Sequence, residues 1–283
     1  QNTNNTDYRV LDRDFDDHVY DEDMFVVVAA GNSGNTTGNI STPAKGLNVL
    51  SVGNYNDANA IIASSSAYTD PETGNNKPEV SAPGTSITAG GHTLSGTSMA
   101  TPHVAGFAAD SMSTYKNQRL RPQLMKALIL ASAVDPVSGA NDAVGLGGIN
   151  YQKAYLPVLK YWEGANDSFA TFDNADPIPD NGTIDYVTNL NSNKDVRIAL
   201  VWLNRGQYTF THLNDPFPLG IDLDMSVFDP NGNLVATSVS NDNGYEVIDF
   251  SPNLNARYRF AISRVANRDR QSDLRIGLSV IRY

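Results

Sequence analysis

A serine does acyl-transfer chemistry when its neighbours are small enough for a substrate to approach and donors wait where an oxyanion will develop. The run Ser95-Gly96-Thr97-Ser98-Met99-Ala100-Thr101-Pro102-His103-Val104-Ala105-Gly106 has those properties. Gly96 permits a tight turn and close approach of another backbone. The apolar residues after Ser98 read as a helix, whose first turn aims free N–H groups and its positive end at the hydroxyl. Serine and threonine are also common helix caps, so the run has a plainer reading beside the chemical one.

The elements that must position this serine are legible around it. Met24-Phe25-Val26-Val27-Val28-Ala29-Ala30 is a short apolar run, read as a strand buried on both faces of a parallel sheet. It ends in Gly31-Asn32-Ser33-Gly34, so Asn32 lies beyond the carboxyl end of a strand, where open α/β sheets hold ligands. An asparagine in a strand-to-loop turn is also ordinary. Residues 11–23 read as an acidic helix with Leu11, Phe15 and Val19 on one apolar face; Asp14, Asp16, Asp17, Asp21 and Asp23 then form a solvated face. Residues 121–133 read as a second helix with Pro122 in its first turn.

Four blocks in this order resemble the subtilase family of serine proteases: Ala29-Ala30-Gly31-Asn32-Ser33-Gly34, Asn48-Val49-Leu50-Ser51-Val52-Gly53 with Ser41-Thr42-Pro43-Ala44 before it, Lys77-Pro78-Glu79-Val80-Ser81-Ala82-Pro83-Gly84-Thr85, and the Ser98 run itself. The resemblance implies that Ser98 is the nucleophile. It implies that Asn32 donates its side-chain N–H to the oxyanion together with the Ser98 backbone N–H, and that Ala29, Ala30 and Gly31 wall the pocket for the residue before the cleaved bond. Gly145-Leu146-Gly147-Gly148-Ile149-Asn150 is similar to the family's glycine-rich lead into a final catalytic-domain helix.

A serine hydroxyl needs a base, and the base an orienting carboxylate. In subtilases these stand in D-[ST]-G and H-G-T-H motifs upstream of the oxyanion strand, and neither motif occurs here. The expectation is that this chain is the carboxyl-terminal part of a subtilase, inactive alone, whose partner is an amino-terminal piece of the same protease carrying Asp and His. The four histidines do not replace them. His103 lies past Ser98 on the same helix and faces away from it. His18 sits on the acidic helix, His92 in a segment before Ser98 that could line the cleft, and His212 in a later polar loop.

Composition fits an extracellular enzyme, and the resemblance implies a protein or peptide substrate. The 283 residues contain no cysteine, which excludes disulfides and thiol chemistry. A formal net charge of −11 argues against nucleic acid. No apolar run reaches membrane-spanning length, so no membrane partner is expected.

The fold class expected is α/β for residues 1–163, a partial subtilisin-like parallel sheet with helices, followed by an all-β antiparallel sandwich at 164–283. Helical periodicity disappears there. Alternating or apolar runs recur at residues 183–187, 195–202, 223–228, 234–237, 245–250, 257–262 and 274–280, and Asp229-Pro230-Asn231-Gly232-Asn233 is a hairpin turn. Arg197-Ile198-Ala199-Leu200-Val201-Trp202 and Asp222-Leu223-Asp224-Met225 resemble the jelly-roll module that follows the catalytic domain in some subtilases. Asp222 and Asp224, two apart on a strand, share one face and could hold calcium, as members with this module often do; the other reading is an exposed acidic strand edge. Two further functions stay open: a pseudoprotease that binds peptides or assembles, and a jelly roll that binds carbohydrate or a cell surface, with Tyr208, Phe210 and Phe217 in one loop.

Overall fold

Helix α1 (Val10–Glu22) starts where the Asp12 carboxylate turns back to accept the Arg9 N–H at 2.9 Å, and it stops at Asp23 in the left-handed region, φ 54°. The computed structural model that shows this describes residues 7–34, 40–68, 71–154, 157–165 and 183–283. The face that α1 buries is the expected one only in part: Val19 is buried and Phe15 packs half-buried against the same cluster. Asp12, Asp16, Val19 and Tyr20 point inward, while Leu11 is 47 % exposed. Asp16 corrects the reading of a wholly solvated acidic face. Its carboxylate accepts the Tyr8 hydroxyl at 2.8 Å and the N–H groups of Leu47 and Asn48 at 2.7 Å each. Those donors replace the water that the charge has lost.

The parallel sheet is built on β2 (Leu50–Asn56). β1 (Val27–Ala29) pairs with it in parallel, Val27 opposite Leu50 and Ala29 opposite Val52. β3 (Ile61–Ile62) adds an antiparallel pair to the end of β2, and β4 (Val80–Pro83) runs parallel to it, Val52 opposite Val80. Among the described residues β1 has no strand on its other edge. A small hairpin, β5 (Ile87–Ala89) and β6 (His92–Leu94), then leads into α2 (Thr97–Thr114). α2 lays Ala100, Val104, Phe107 and Ala108 against Leu50, Val52, Val80 and Ala82 of the sheet. Its opposite face, Pro102, Ala105, Gly106 and Ala109, is exposed.

Every residue of α3 (Pro122–Ser132) is buried, because the helix has protein on both sides. Met125 and Ala127 to Ala131 share one core with the parallel sheet and with Ala199, Val201 and Ile281 of the second half. The approach is close: a Cβ on Gly277 would lie 2.6 Å from the Gln123 backbone, so only glycine fits beneath the helix. A one-turn helix, α4 (Asn141–Val144), follows.

The glycine-rich segment does not lead into the expected final helix. Tyr151 to Ala154 form a turn, and β7 (Val158–Ala165) follows, crossing the expected boundary at 163. The further strands are β8 (Thr183–Leu190), β9 (Val196–Trp202), β10 (Ile221–Phe228), β11 (Leu234–Ser238), β12 (Tyr245–Phe250), β13 (Ala256–Asn267) and β14 (Asp273–Arg282), with a short helix α5 (Gly206–Thr211) after β9. They form two four-stranded antiparallel sheets, ordered β11-β10-β13-β8 and β12-β9-β14-β7. Ile198, Leu200 and Trp202 meet Leu223, Met225 and Val227 in the core shared by the sheets. Ala199 and Val201, the alternate residues of β9, face α3 instead. Burial on both faces is why β9 reads as a nearly continuous apolar run.

A buried polar hub joins these layers. Glu79 Oε1 accepts from Lys77 Nζ at 2.6 Å and Lys126 Nζ at 2.8 Å, and Glu79 Oε2 accepts the Ser51 N–H at 2.7 Å. Lys126 also donates to the carbonyls of Leu47 and Val49 at 2.7 and 3.0 Å. Asn48, one residue along from Leu47, donates to the Asp16 and Asn204 carbonyls at 2.9 and 2.7 Å and accepts the Asn204 N–H at 3.0 Å. Helix α1, the start of β2, α3 and the end of β9 are thus tied together by buried hydrogen bonds.

Candidate active site

Ser98 is the second residue of α2 and is exposed. The turn that presents it depends on Gly96, whose φ of 147° lies outside the range side chains tolerate. Gly96 has no side chain to cap the helix, and the cap comes from another element. Asn32, just past β1, accepts the Thr97 N–H at 2.9 Å and the Thr97 hydroxyl at 3.3 Å, both on Oδ1. A backbone N–H can only donate, so the amide oxygen must face Thr97. Nδ2, with two N–H donors, takes no part in these bonds and lies beside Gly96, 3.3 Å from where a Cβ there would stand, and Asn32 is itself exposed. The structure therefore brings together the two residues that the sequence singled out, at the N-terminus of one helix.

The residues expected to wall the pocket, Ala29, Ala30 and Gly31, are held from behind. The Ala30 N–H donates to Val52 O at 3.1 Å, and its carbonyl accepts from Ser41 at 2.8 Å. The Gly31 carbonyl accepts the Ala67 N–H at 3.0 Å, and the Gly31 N–H donates to Thr97 Oγ1 at 3.2 Å. Ala30 and Gly31 are buried and Ala29 half-buried, so a ligand here meets a rigid backbone more than side chains. Thr97 is the residue sequence reasoning passed over, and its place between Gly96 and Ser98 was the only signal available.

Among the described residues no histidine hydrogen-bonds to Ser98. The His103 ring meets the Met99 carbonyl at 3.0 Å on its own helix, and the His212 ring meets the Tyr208 carbonyl at 2.8 Å and stacks on the Tyr208 ring. His18 and His92 are exposed. The strong perturbations lie elsewhere. Burial pushes the Asp16 carboxyl up to about 6, against the pull of its hydrogen bonds from Asn48 and Tyr8. Burial pushes the Lys77 ammonium down to about 8, although Glu79 holds it up. Neither group touches the Ser98 end.

Asp222 and Asp224 sit in β10. Asp222 is 1 % exposed, neither of its carboxylate oxygens has a hydrogen-bond partner, and Arg268 Nη2 stands 3.7 Å away. Burial raises the pKa of both acids. Among the described residues no three or more acidic, histidine or cysteine side chains converge enough to hold a metal ion.

A model of the subtilase family of peptidases matches residues 2–151. The chain is similar to the subtilisin of Bacillus pumilus, 36 % identical over 148 residues, which are 49 % of this chain and 49 % of that protein. It is also similar to alkaline serine protease ver112 of Corniculantispora psalliotae, 45 % identical over 91 residues, 30 % of this chain and 22 % of that protein. Among solved structures, Sphericase aligns at 29 % identity over 49 % of this chain and 51 % of its own, with a TM-score of 0.38. The chain thus spans about half the length, or less, of these relatives.

Proposed function

The chain belongs to the subtilase family, and from that premise we propose that it carries the nucleophile Ser98 and the oxyanion donor Asn32 of a subtilisin-type serine endopeptidase acting on protein or peptide substrates. One observation carries the reading. Asn32 spends its oxygen on Thr97 at the mouth of α2, which leaves its N–H donors unused by that contact one residue from Ser98. Ser98 attacks the scissile carbonyl. The oxyanion is met by Asn32 Nδ2 and the first-turn N–H of Ser98, fixed donors that need not reorganise as charge develops. Ala29, Ala30 and Gly31 wall the pocket for the preceding residue.

The general base and its carboxylate come from an amino-terminal piece of the same protease. The open edge of β1 and the uncovered face of α2 support this, because an apolar strand edge and a small-residue helix face both call for a covering element. The strand orders 1-8-3-6 and 2-7-4-5, numbered from β7 as the first of eight, support reading the second half as a jelly roll, with its boundary near 158 instead of 163. Secretion is proposed from the relatives' type; no helix among the described residues is long and apolar enough to cross a membrane. Calcium fits Asp222 and Asp224 in part. The unpartnered Asp222 oxygens are suitable donors, but two carboxylates fall short of a usual set of about 6–8 oxygens, and Arg268 already supplies a counter-charge. A calcium-dependent rise in melting temperature that Asp222→Asn abolishes supports it; no rise overturns it.

The activity is tested on the full-length protease with a chromogenic peptide and a fluorophosphonate probe. Turnover and labelling lost together in Ser98→Ala are the expected result. Turnover that survives Ser98→Ala would overturn the assignment.

A further inference from the structure

We propose that the cavity beside α2, between Tyr55, Phe107, Asp110 and Tyr151, receives a lysine or arginine side chain of the amino-terminal piece. The inference rests on the reading above, in which that piece covers α2, and adds the chemistry of one contact.

The cavity holds about 360 Å³, at the small end of the roughly 300–1,000 Å³ usual for ligand pockets, so it suits one long side chain. One wall is the helix that carries Ser98. His103, Gly106, Phe107 and Asp110 follow one another there at steps of three, one and three residues, which puts them on one face. The other wall has Tyr55 near the end of β2 and Tyr151 in the turn after the glycine-rich segment. Tyr55 and Phe107 are buried, and the Phe107 and Tyr151 rings meet edge to face, 5.3 Å apart at 86°. Three aromatic rings and one carboxylate thus border a single space.

That composition selects a cation. Aromatic ring faces attract positive charge, and the exposed Asp110 supplies the negative partner. Among the described residues no lysine or arginine lines the cavity, so the cation comes from outside. The surroundings are negative too. Burial, then the charges of Asp57 and Asp135, push the Tyr55 hydroxyl up to about 12. A hydrogen bond to Asp110 holds the Tyr151 hydroxyl above its ordinary value. His103 spends Nδ1 on the Met99 carbonyl, which in the neutral ring leaves Nε2 as an acceptor. Apolar walls suit an alkyl stem and the carboxylate a charged head, the division that lysine and arginine make. Gly106 fixes the source. It lines the cavity and belongs to the uncovered face of α2 with Pro102, Ala105 and Ala109, so whatever covers that face also closes the cavity.

The test titrates the 283-residue chain with agmatine, an alkyl guanidinium, and follows the Phe107 and Tyr151 ring resonances. Saturable shifts are expected. Asp110→Asn, at an exposed position, should weaken binding about tenfold and leave the melting temperature of this chain unchanged. Pentanoate, with the opposite charge, should not bind. No saturable shift with agmatine, equal binding in Asp110→Asn, or pentanol binding as tightly as agmatine would overturn the cation site. The second arm repeats the titration on the full-length protease. There the side chain already fills the cavity, so agmatine should shift nothing, and Asp110→Asn should now lower the melting temperature. A saturable shift in the full-length protease would make the cavity an open ligand site and overturn the occupant. An unmoved melting temperature in full-length Asp110→Asn would show that the occupant carries no charge, and overturns the inference too. Failure of the peptidase reading is seen separately, as turnover that survives Ser98→Ala, and leaves the titration of the chain to decide the cavity.

Discussion

Two regions of the α/β half treat polar groups in opposite ways. At the Ser98 end, Ser98 and Asn32 are exposed, and the groups that hold them are neutral: one hydroxyl and two backbone N–H groups on a single amide and a single helix mouth. In the hub, Lys77, Glu79 and Lys126 are at most 1 % exposed, and the two ammoniums share the one Glu79 carboxylate inside the protein. The difference separates stability from chemistry. The hub can lock layers together because its two ammoniums, its carboxylate and the Asn48 amide find their partners inside the protein. The Ser98 end keeps donors unspent, so it is built to be completed by something else.

The sharpest way to break the comparison is to remove the anion of the hub. Glu79→Gln leaves two enclosed ammoniums facing each other and should cost about 3–5 kcal/mol of stability, enough to prevent folding at moderate temperature. Urea denaturation that moves by less than about 1 kcal/mol would show that solvent reaches the hub after all.

Asn32 should behave in the reverse manner. Asn32→Ala is expected to cost about 10²–10³ in kcat, the magnitude known for such a donor in subtilisin itself. Its stability should fall by only about 1 kcal/mol, the worth of a helix cap. Asn32→Asp keeps an oxygen for the Thr97 N–H and should retain the cap while losing the donor. Parallel losses of stability and kcat in these two variants would erase the distinction between the regions.

pH sharpens it further. Asp16 keeps its proton up to about 6 when folded, above its ordinary value of 3.8, so folding takes up a proton between these values. The stability from Asp16 is full below pH 3.8 and is lost as pH rises through 6. Lys77 releases its proton near 8 when folded, but near 10.5 when unfolded. Between those values the unfolded chain holds more protons, so stability rises with pH from about 8 to 10.5. Each limb amounts to about 3 kcal/mol, and together they put a trough between pH 6 and 8. Asp16→Asn should flatten the acidic limb and Lys77→Met the alkaline one. A stability profile whose alkaline limb survives in Lys77→Met would assign that limb to another group.

The smallest effect concerns the join to the second half. Asn48→Ala removes three hydrogen bonds between α1, the loop before β2 and the end of β9. About 2 kcal/mol is expected, with kcat unchanged, read from thermal unfolding and initial rates. A loss of kcat would mean that the hub does reach the Ser98 end, through β2.

Local pattern was enough for much of this molecule. The strands from β8 to β14 were legible because alternation has a period of two and the turns between them carry their own residue signals, as Asp229 does by accepting the N–H groups of Asn231 and Asn233. The pairing of Ser98 with Asn32 was legible through the resemblance to the subtilase family, with Gly96 and the end of the first strand marking where each would sit. What failed depended on partners distant in sequence. Asp16 looked solvated because nothing near it in the chain says that Leu47 and Asn48 will supply its donors. β7 was hidden behind a glycine-rich lead because, among the described residues, its ladder partner is β14, more than a hundred residues later in sequence. Thr97 carried no signal of its own, since its hydroxyl acquires meaning only when Gly31 and Asn32 arrive from another strand. The sequence by itself determined which residues could turn, alternate or react. The tertiary structure alone decided which polar groups found partners and which were left with a donor to offer, because burial and hydrogen bonding are properties of neighbours in space.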